Sequence, residues 1–170
     1  ITIHGAQPAV EECGVKGGYK DEGAFAADSL DTTKLGRKVP VSRKSNVNIK
    51  KVGWYKVTYN AKDVAGNTAR TAVRRVRVKD RTAPRIYLKG KAEMEVWAGQ
   101  NKKGAKHTFK MEPGVTTFDL CDKRKLPVTM RWIGVNGKFD DSVPGVYIRQ
   151  YCVRDHVGLK NCITRKINVS

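Results

Sequence analysis

The chain has 170 residues, enough for one ordinary domain or two small ones, and a 39% hydrophobic share that supports compact cores. No run of about 18 apolar residues occurs, so a helical membrane span is excluded. Thirty-four Lys and Arg against sixteen Asp and Glu give a formal charge of +18. Such a field recruits polyanions (nucleic acid, sulfated or acidic glycans, anionic membranes), unless it only solvates outer strand faces or neutralises an acidic neighbour.

Ile1-Thr2-Ile3-His4 reads as a strand with neither an initiator Met nor a signal peptide, so a piece of a longer or processed polypeptide is expected. Further strands are expected at 9–12, 24–28, 39–43, 54–62 and 69–79, with the Gly-rich, charged segment 14–23 linking early strands. The strongest signal lies at 53–69. Tyr55, Val57, Tyr59 and Ala61 alternate with Trp54, Lys56, Thr58 and Asn60, the period of a strand with one buried face. Asp63-Val64-Ala65-Gly66-Asn67 then reverses the chain, with Asp as turn cap and Gly supplying positive φ. On the return arm Val76 and Val78 point inward, leaving Arg75, Arg77 and Lys79 as an outward row with a spacing of about 7 Å. Trp54 is a candidate exposed aromatic beside Lys56.

Apolar periodicity stops at 79–84, Lys-Asp-Arg-Thr-Ala-Pro, where the Pro favours extended backbone. Strands resume at 85–89, 93–98, 116–120, 128–132, 146–154 and 162–169, and loop 101–110, with four Lys, is expected to be the most exposed. No segment carries sustained helical periodicity.

Internal repetition organises the whole. Ile1-Thr2-Ile3-His4-Gly5 is echoed by Ile86-Tyr87-Leu88-Lys89-Gly90, and Arg37-Lys38-Val39-Pro40-Val41 by Arg124-Lys125-Leu126-Pro127-Val128. Gly53, Tyr55, Tyr59, Asp63 and Gly66 recur as Gly145, Tyr147, Tyr151, Asp155 and Gly158 at a constant offset of 92 (145 minus 53). Two tandem all-β domains follow, 1–80 and 85–170, with a linker at 79–84 and the short strands of a small β-sandwich. The second copy departs from the first at two places: Arg149 stands where Val57 faces inward, and Leu159 replaces Asn67. An inward Arg needs either a bulge that turns it outward or a carboxylate partner.

None of the four cysteines, at 13, 121, 152 and 162, forms a C-x-x-C pair, which argues against zinc. At offset 92, Cys152 maps onto Asn60 and Cys162 onto Arg70, so the two flank the turn and are expected to face each other as a disulfide.

The run VGWYKVTYNAKDVAGNTA, followed by VRVKDRTAPRIYLKG, resembles the immunoglobulin-like repeat of bacterial surface and secreted proteins and the related hyalin repeat. The resemblance implies tandem Ig-like sandwiches that serve as noncatalytic stalks, spacers and adhesive or assembly modules in extracellular proteins. In such a sandwich Cys13 and Cys121 would both face the junction between domains and could bridge; free thiols, bonds to other chains, or Cys121 pairing with Cys152 or Cys162 compete with that reading. Disulfides and the sequon at Asn168-Val169-Ser170, a candidate glycosylation site, agree with an oxidising, extracellular setting.

His4, His107 and His156 are scattered, and no nucleophile, P-loop or dinucleotide motif appears, so no catalytic residue, cofactor or metal site is expected. The close carboxylate pairs, Asp140-Asp141 and Asp119 with Asp122, read as turn caps rather than Ca²⁺ ligands. Arg75, Arg77, Lys79, Lys102, Lys103, Lys106, Lys123, Arg124 and Lys125 are the candidate polyanion-binding residues, with Lys50-Lys51 as a further loop cluster. Stacking aromatics are too few to favour nucleic acid. The expected role is spacing and assembly within a larger surface, filament or matrix protein, with other domains of the polypeptide and neighbouring subunits as partners. A module binding sulfated or acidic glycans, or an ancillary domain of a secreted enzyme, are the alternatives.

Overall fold

The computed structural model describes residues 1–27, 38–98, 112–134 and 137–170. It is all-β, with no helix among the described residues, and forms two compact units, Ile1–Arg81 and Thr82–Ser170. Unit 1 contains β1 (Thr2–Ile3), β2 (Ala9–Glu12), β3 (Ala24–Phe25), β4 (Val41–Ser45), β5 (Gly53–Ala61) and β6 (Ala72–Lys79). Unit 2 contains β7 (Arg85–Leu88), β8 (Glu93–Val96), β9 (Val115–Phe118), β10 (Val128–Ile133), β11 (Gly145–Arg154) and β12 (Lys160–Val169).

The two units repeat one topology. Unit 1 has a four-stranded sheet ordered β2-β6-β5-β4 and a two-stranded sheet β1-β3; unit 2 has β8-β12-β11-β10 and β7-β9. In each the final strand pairs antiparallel with the preceding long strand and parallel with the second strand. Each small sheet closes over the inward face of its larger one, as in two Ig-like sandwiches. Val57, Tyr59 and Val76 are buried with Ala9, and Ile1, Ile3 and Ala24 pack on them. Tyr151 and Val153 are buried with Ile86 and Leu126, covered by Leu88 and Val115.

The long hairpins differ by one residue. In unit 2 the register is unbroken from Gly145↔Val169 to Arg154↔Lys160. In unit 1 it runs from Gly53↔Val78 to Tyr59↔Ala72 and then slips to Lys62↔Thr68, so the return arm carries an extra residue near Arg70. The counterpart of Cys162 is therefore Thr71, not Arg70 as the constant offset suggests. Cys152 and Cys162 lie directly opposite and are bonded. At the matching place in unit 1 the Thr71 hydroxyl donates to Asn60 Oδ1 at 2.6 Å.

Strand alternation that points Val76 and Val78 inward also sends Arg74 inward, and the same parity sends Arg165 inward with Ile167 and Val169. Both guanidinium groups are almost fully buried, Arg74 at 1% and Arg165 at 0% exposure. Segment 14–23, beyond linking strands, supplies the partners of the first. Arg74 Nη1 donates to Asp21 Oδ2 at 3.1 Å and Nη2 to the Gly23 carbonyl at 3.4 Å, while Tyr59 and Tyr19 hydroxyls donate to the same carboxylate. In unit 2 Arg165 meets Glu112 at 3.4 Å and donates to the carbonyls of Lys89 and Gly114. Arg149 requires no bulge: its guanidinium pairs with Glu112 at 2.8 Å and lies 4.9 Å from the Trp132 ring centroid.

These contacts set the ionisation of the core. Burial works against the Asp21 charge, but hydrogen bonds from Tyr59, Tyr19 and the Gly23 N–H, with Arg74 beside it, hold the carboxyl below its ordinary value. Burial, then the bond to Asp21, pushes the Tyr59 phenol up to about 12. Burial likewise pushes Glu112 up, against the pull of Arg149 and Arg165.

Replacing Arg74 with Leu removes the buried cation from a carboxylate whose side chain is 3% exposed, leaving it the Tyr19, Tyr59 and Gly23 donors and the half-exposed Arg43 at 3.8 Å. The variant should lose about 3–5 kcal/mol in urea unfolding, and Arg74→Leu combined with Asp21→Leu should recover most of it. The Tyr59 phenol holds its proton more tightly folded than unfolded. Its contribution is therefore complete below the ordinary tyrosine value of 10.0 and is lost as pH rises through about 12. In melting curves across that interval, Tyr59→Phe should show a shallower alkaline loss than the parent chain.

Candidate functional site

The outward face of sheet β2-β6-β5-β4 carries Lys44, Lys56, Arg75, Arg77 and Lys79. Register places Trp54 beside Arg77 and Lys56 beside Arg75 across β5 and β6, with Lys44 beside Thr58 on the β4 side and Val10 beside Arg77 on the β2 side. Trp54 is 47% exposed, and the Arg75 and Arg77 guanidinium carbons lie 4.6 and 4.8 Å from its ring centroid. Each cation–π contact at an exposed site contributes about 0.5–1 kcal/mol. Two of them on one indole place both guanidinium groups beside the same ring. Lys56 and Lys79 are exposed on the same face. Glu12, which pairs with Lys79 in the sheet register, is bonded to Arg81, with Nε 3.0 Å from Oε2.

Unit 2 lacks this arrangement at the corresponding positions. Val146 replaces Trp54, and the positions of Arg75 and Arg77 hold Lys166 and Asn168. Lys166 Nζ lies 2.7 Å from Glu93, and Asn168 Nδ2 donates to Glu93 and Glu95 at 2.7 Å each. The amide nitrogen of the sequon asparagine is thus held between two carboxylates.

Lys123, Arg124 and Lys125 sit exposed on the loop between β9 and β10, where they border a concavity of about 370 Å³ with Lys89, Phe118, Asp119 and Asp122. Lys123 Nζ lies 5.7 Å from the centroid of the half-exposed Phe118 ring. Asp122 faces His156 Nδ1 at 2.8 Å, and its carboxyl is lowered by that contact although burial opposes the charge. Lys102, Lys103 and Lys106, with loop 101–110, lie outside the described residues. Cys13 is buried just after β2, its N–H donating to Lys79 O at 2.7 Å, and Cys121 is buried with its N–H donating to Asp119 Oδ1 at 2.8 Å.

The carboxylate pairs cap turns. Asp140 Oδ1 accepts from the Ser142 N–H and hydroxyl, and Asp119 Oδ1 accepts from the N–H groups of Cys121 and Asp122. The juxtaposition of Asp119 with Asp155, whose ligand oxygens lie within 4.8 Å, was not legible in the sequence because 36 residues separate them (155 minus 119). Nor were the Arg74–Asp21 and Arg165–Glu112 pairs anticipated. Two signals point to them: strand parity, and an acid-x-Gly triplet at 21–23 that recurs at 112–114.

Residues 1–78 match the family model described as bacterial surface protein, Ig-like domain. None of the curated proteins matches the chain. Among solved structures the chain is similar to the protocadherin GammaB4 extracellular domain (13% identity, TM-score 0.39), covering 73% of this chain and 22% of that one. It is likewise similar to the protocadherin gammaB7 EC3-6 cis-dimer structure (12% identity, TM-score 0.40), covering 95% of this chain and 45% of that one. The chain thus spans less than half the length of either, and likeness at this level carries no functional argument.

Proposed function

We propose that this chain is a noncatalytic adhesive and structural segment of a larger extracellular surface, filament or matrix protein, built to space and join neighbouring subunits. The match of residues 1–78 to a bacterial surface Ig-like domain carries this reading. Its support in the fold is that each of the two all-β units uses its inward faces for packing and leaves the outer faces free to differ. An oxidising compartment fits the Cys152–Cys162 bond. Of the four cysteines, Cys13 and Cys121 remain as the complementary pair, and a bridge between them belongs to the proposal. Nonreducing peptide mapping should recover a Cys13 peptide joined to a Cys121 peptide; four free thiols in the secreted protein would remove the extracellular half of the reading.

A second reading, adhesion to sulfated or acidic glycans, is favoured by one observation: the double Arg clamp on Trp54, whose place in unit 2 holds Val146. Guanidinium groups gathered on one ring suit bidentate contact with sulfate or carboxylate, and the neighbouring lysines add charge along a linear chain. Reversing Arg75 and Arg77 to Glu should shift elution from heparin to clearly lower salt, with Trp54→Ala giving a smaller shift in the same direction. Equivalent reversal of Lys123, Arg124 and Lys125 distinguishes the two clusters. Unchanged elution for the Arg75/Arg77 variant sinks the glycan reading of this face and leaves assembly as the use of its charge.

A further inference from the structure

The two hairpin turns, 63–67 and 155–159, share one backbone design. The Asp63 N–H donates to Asn67 O and the Asp155 N–H to Leu159 O, both at 3.0 Å, and Gly66 and Gly158 take φ of +94° and +97°. In both, the first Asp uses Oδ1 to accept the N–H four residues on, at 2.7 Å from Asn67 and 2.8 Å from Leu159. They part at the other oxygen. Asn67 Nδ2 donates to Asp63 Oδ2 at 2.8 Å. Leu159 has no amide to offer, and Asp155 Oδ2 is buried with no hydrogen-bond partner in a residue only 6% exposed.

Asp119, 4% exposed, is in the same condition. Its Oδ1 is fixed by two backbone N–H groups, at 2.8 Å from Cys121 and 2.7 Å from Asp122, and its Oδ2 has no partner. The ligand oxygens of Asp119 and Asp155 lie within 4.8 Å of each other. Two neighbouring buried carboxylates that lack donors on one side repel and are poorly solvated, a state that a bound cation relieves. The turns that aim the two oxygens are already held together, since Asp122 receives both the backbone N–H and the ring nitrogen of His156.

We propose that Asp119 and Asp155 hold a divalent cation of the hard, oxygen-preferring class, Ca²⁺ in an extracellular setting. The carboxylate donor set excludes soft-metal chemistry. An oxygen separation within 4.8 Å suits two ligands on one ion with bonds of about 2.3–2.6 Å, and backbone carbonyls and waters complete its shell. The ion ties the loop after β9 to the turn between β11 and β12. It also accounts for the substitution of Leu159 for the asparagine of the first copy, because an amide there would occupy the oxygen that the cation needs.

The test is calorimetric titration of the 170-residue chain with CaCl₂, paired with thermal melting, at physiological ionic strength. A saturable heat and a Tm raised by several degrees are expected. Asp119→Asn and Asp155→Asn should each weaken binding at least tenfold. Leu159→Asn, which copies the first turn and so keeps the fold, should weaken it comparably while leaving the calcium-free Tm equal or higher. Absence of any Ca²⁺ response, or binding unchanged in all three variants, overturns the proposal.

Discussion

Each unit is organised around a buried guanidinium on the core face of its last strand. Arg74 and Arg165 sit among apolar neighbours where an unpaired charge would cost several kcal/mol, so each demands an acid and carbonyl oxygens from the opposite layer. Both demands are met by one local device, an acid two residues before a positive-φ Gly: Asp21 and Gly23 in unit 1, Glu112 and Gly114 in unit 2. The triplet lies immediately before β3 or β9, so pairing the charge also fixes where the small sheet begins. A wrong register in either sheet would strand both charges. The hydrophobic contacts around them supply most of the stability but would tolerate more than one arrangement.

With the inward faces so constrained, the two copies differ where the constraint is absent. The hairpin position that carries a disulfide in unit 2 carries a Thr71–Asn60 hydrogen bond in unit 1. The outer sheet face carries Arg75 and Arg77 beside Trp54 in unit 1, and at the same positions in unit 2 Lys166 and Asn168 bonded to Glu93 and Glu95. The turn is closed by an amide at Asn67 and left open at Leu159. Each change is local and leaves the repeat's topology intact, which is how one framework comes to present two different surfaces.

Much of the fold is legible along the chain because its signals are local. Alternation in 54–61, the Asp and Gly of the turn, and the repeat between the copies identify all-β Ig-like units, and the family match over residues 1–78 agrees. Arg149 stood out as an inward charge for the same reason, and Glu112 is the partner it required. The single extra residue near Arg70 stayed hidden because a constant offset cannot reveal a slip that begins after the turn.

The sequence alone determined the all-β elements in outline, the alternation of 54–61 and the outward row of Arg75, Arg77 and Lys79, since strand parity is a property of consecutive residues. Only the tertiary structure decided which distant groups meet: Asp21 with Arg74, Glu112 with both Arg149 and Arg165, the two guanidinium groups over Trp54, and Asp119 with Asp155. Those meetings depend on strand order and register, which arise from pairing across the sheets, and no spacing along the chain encodes them.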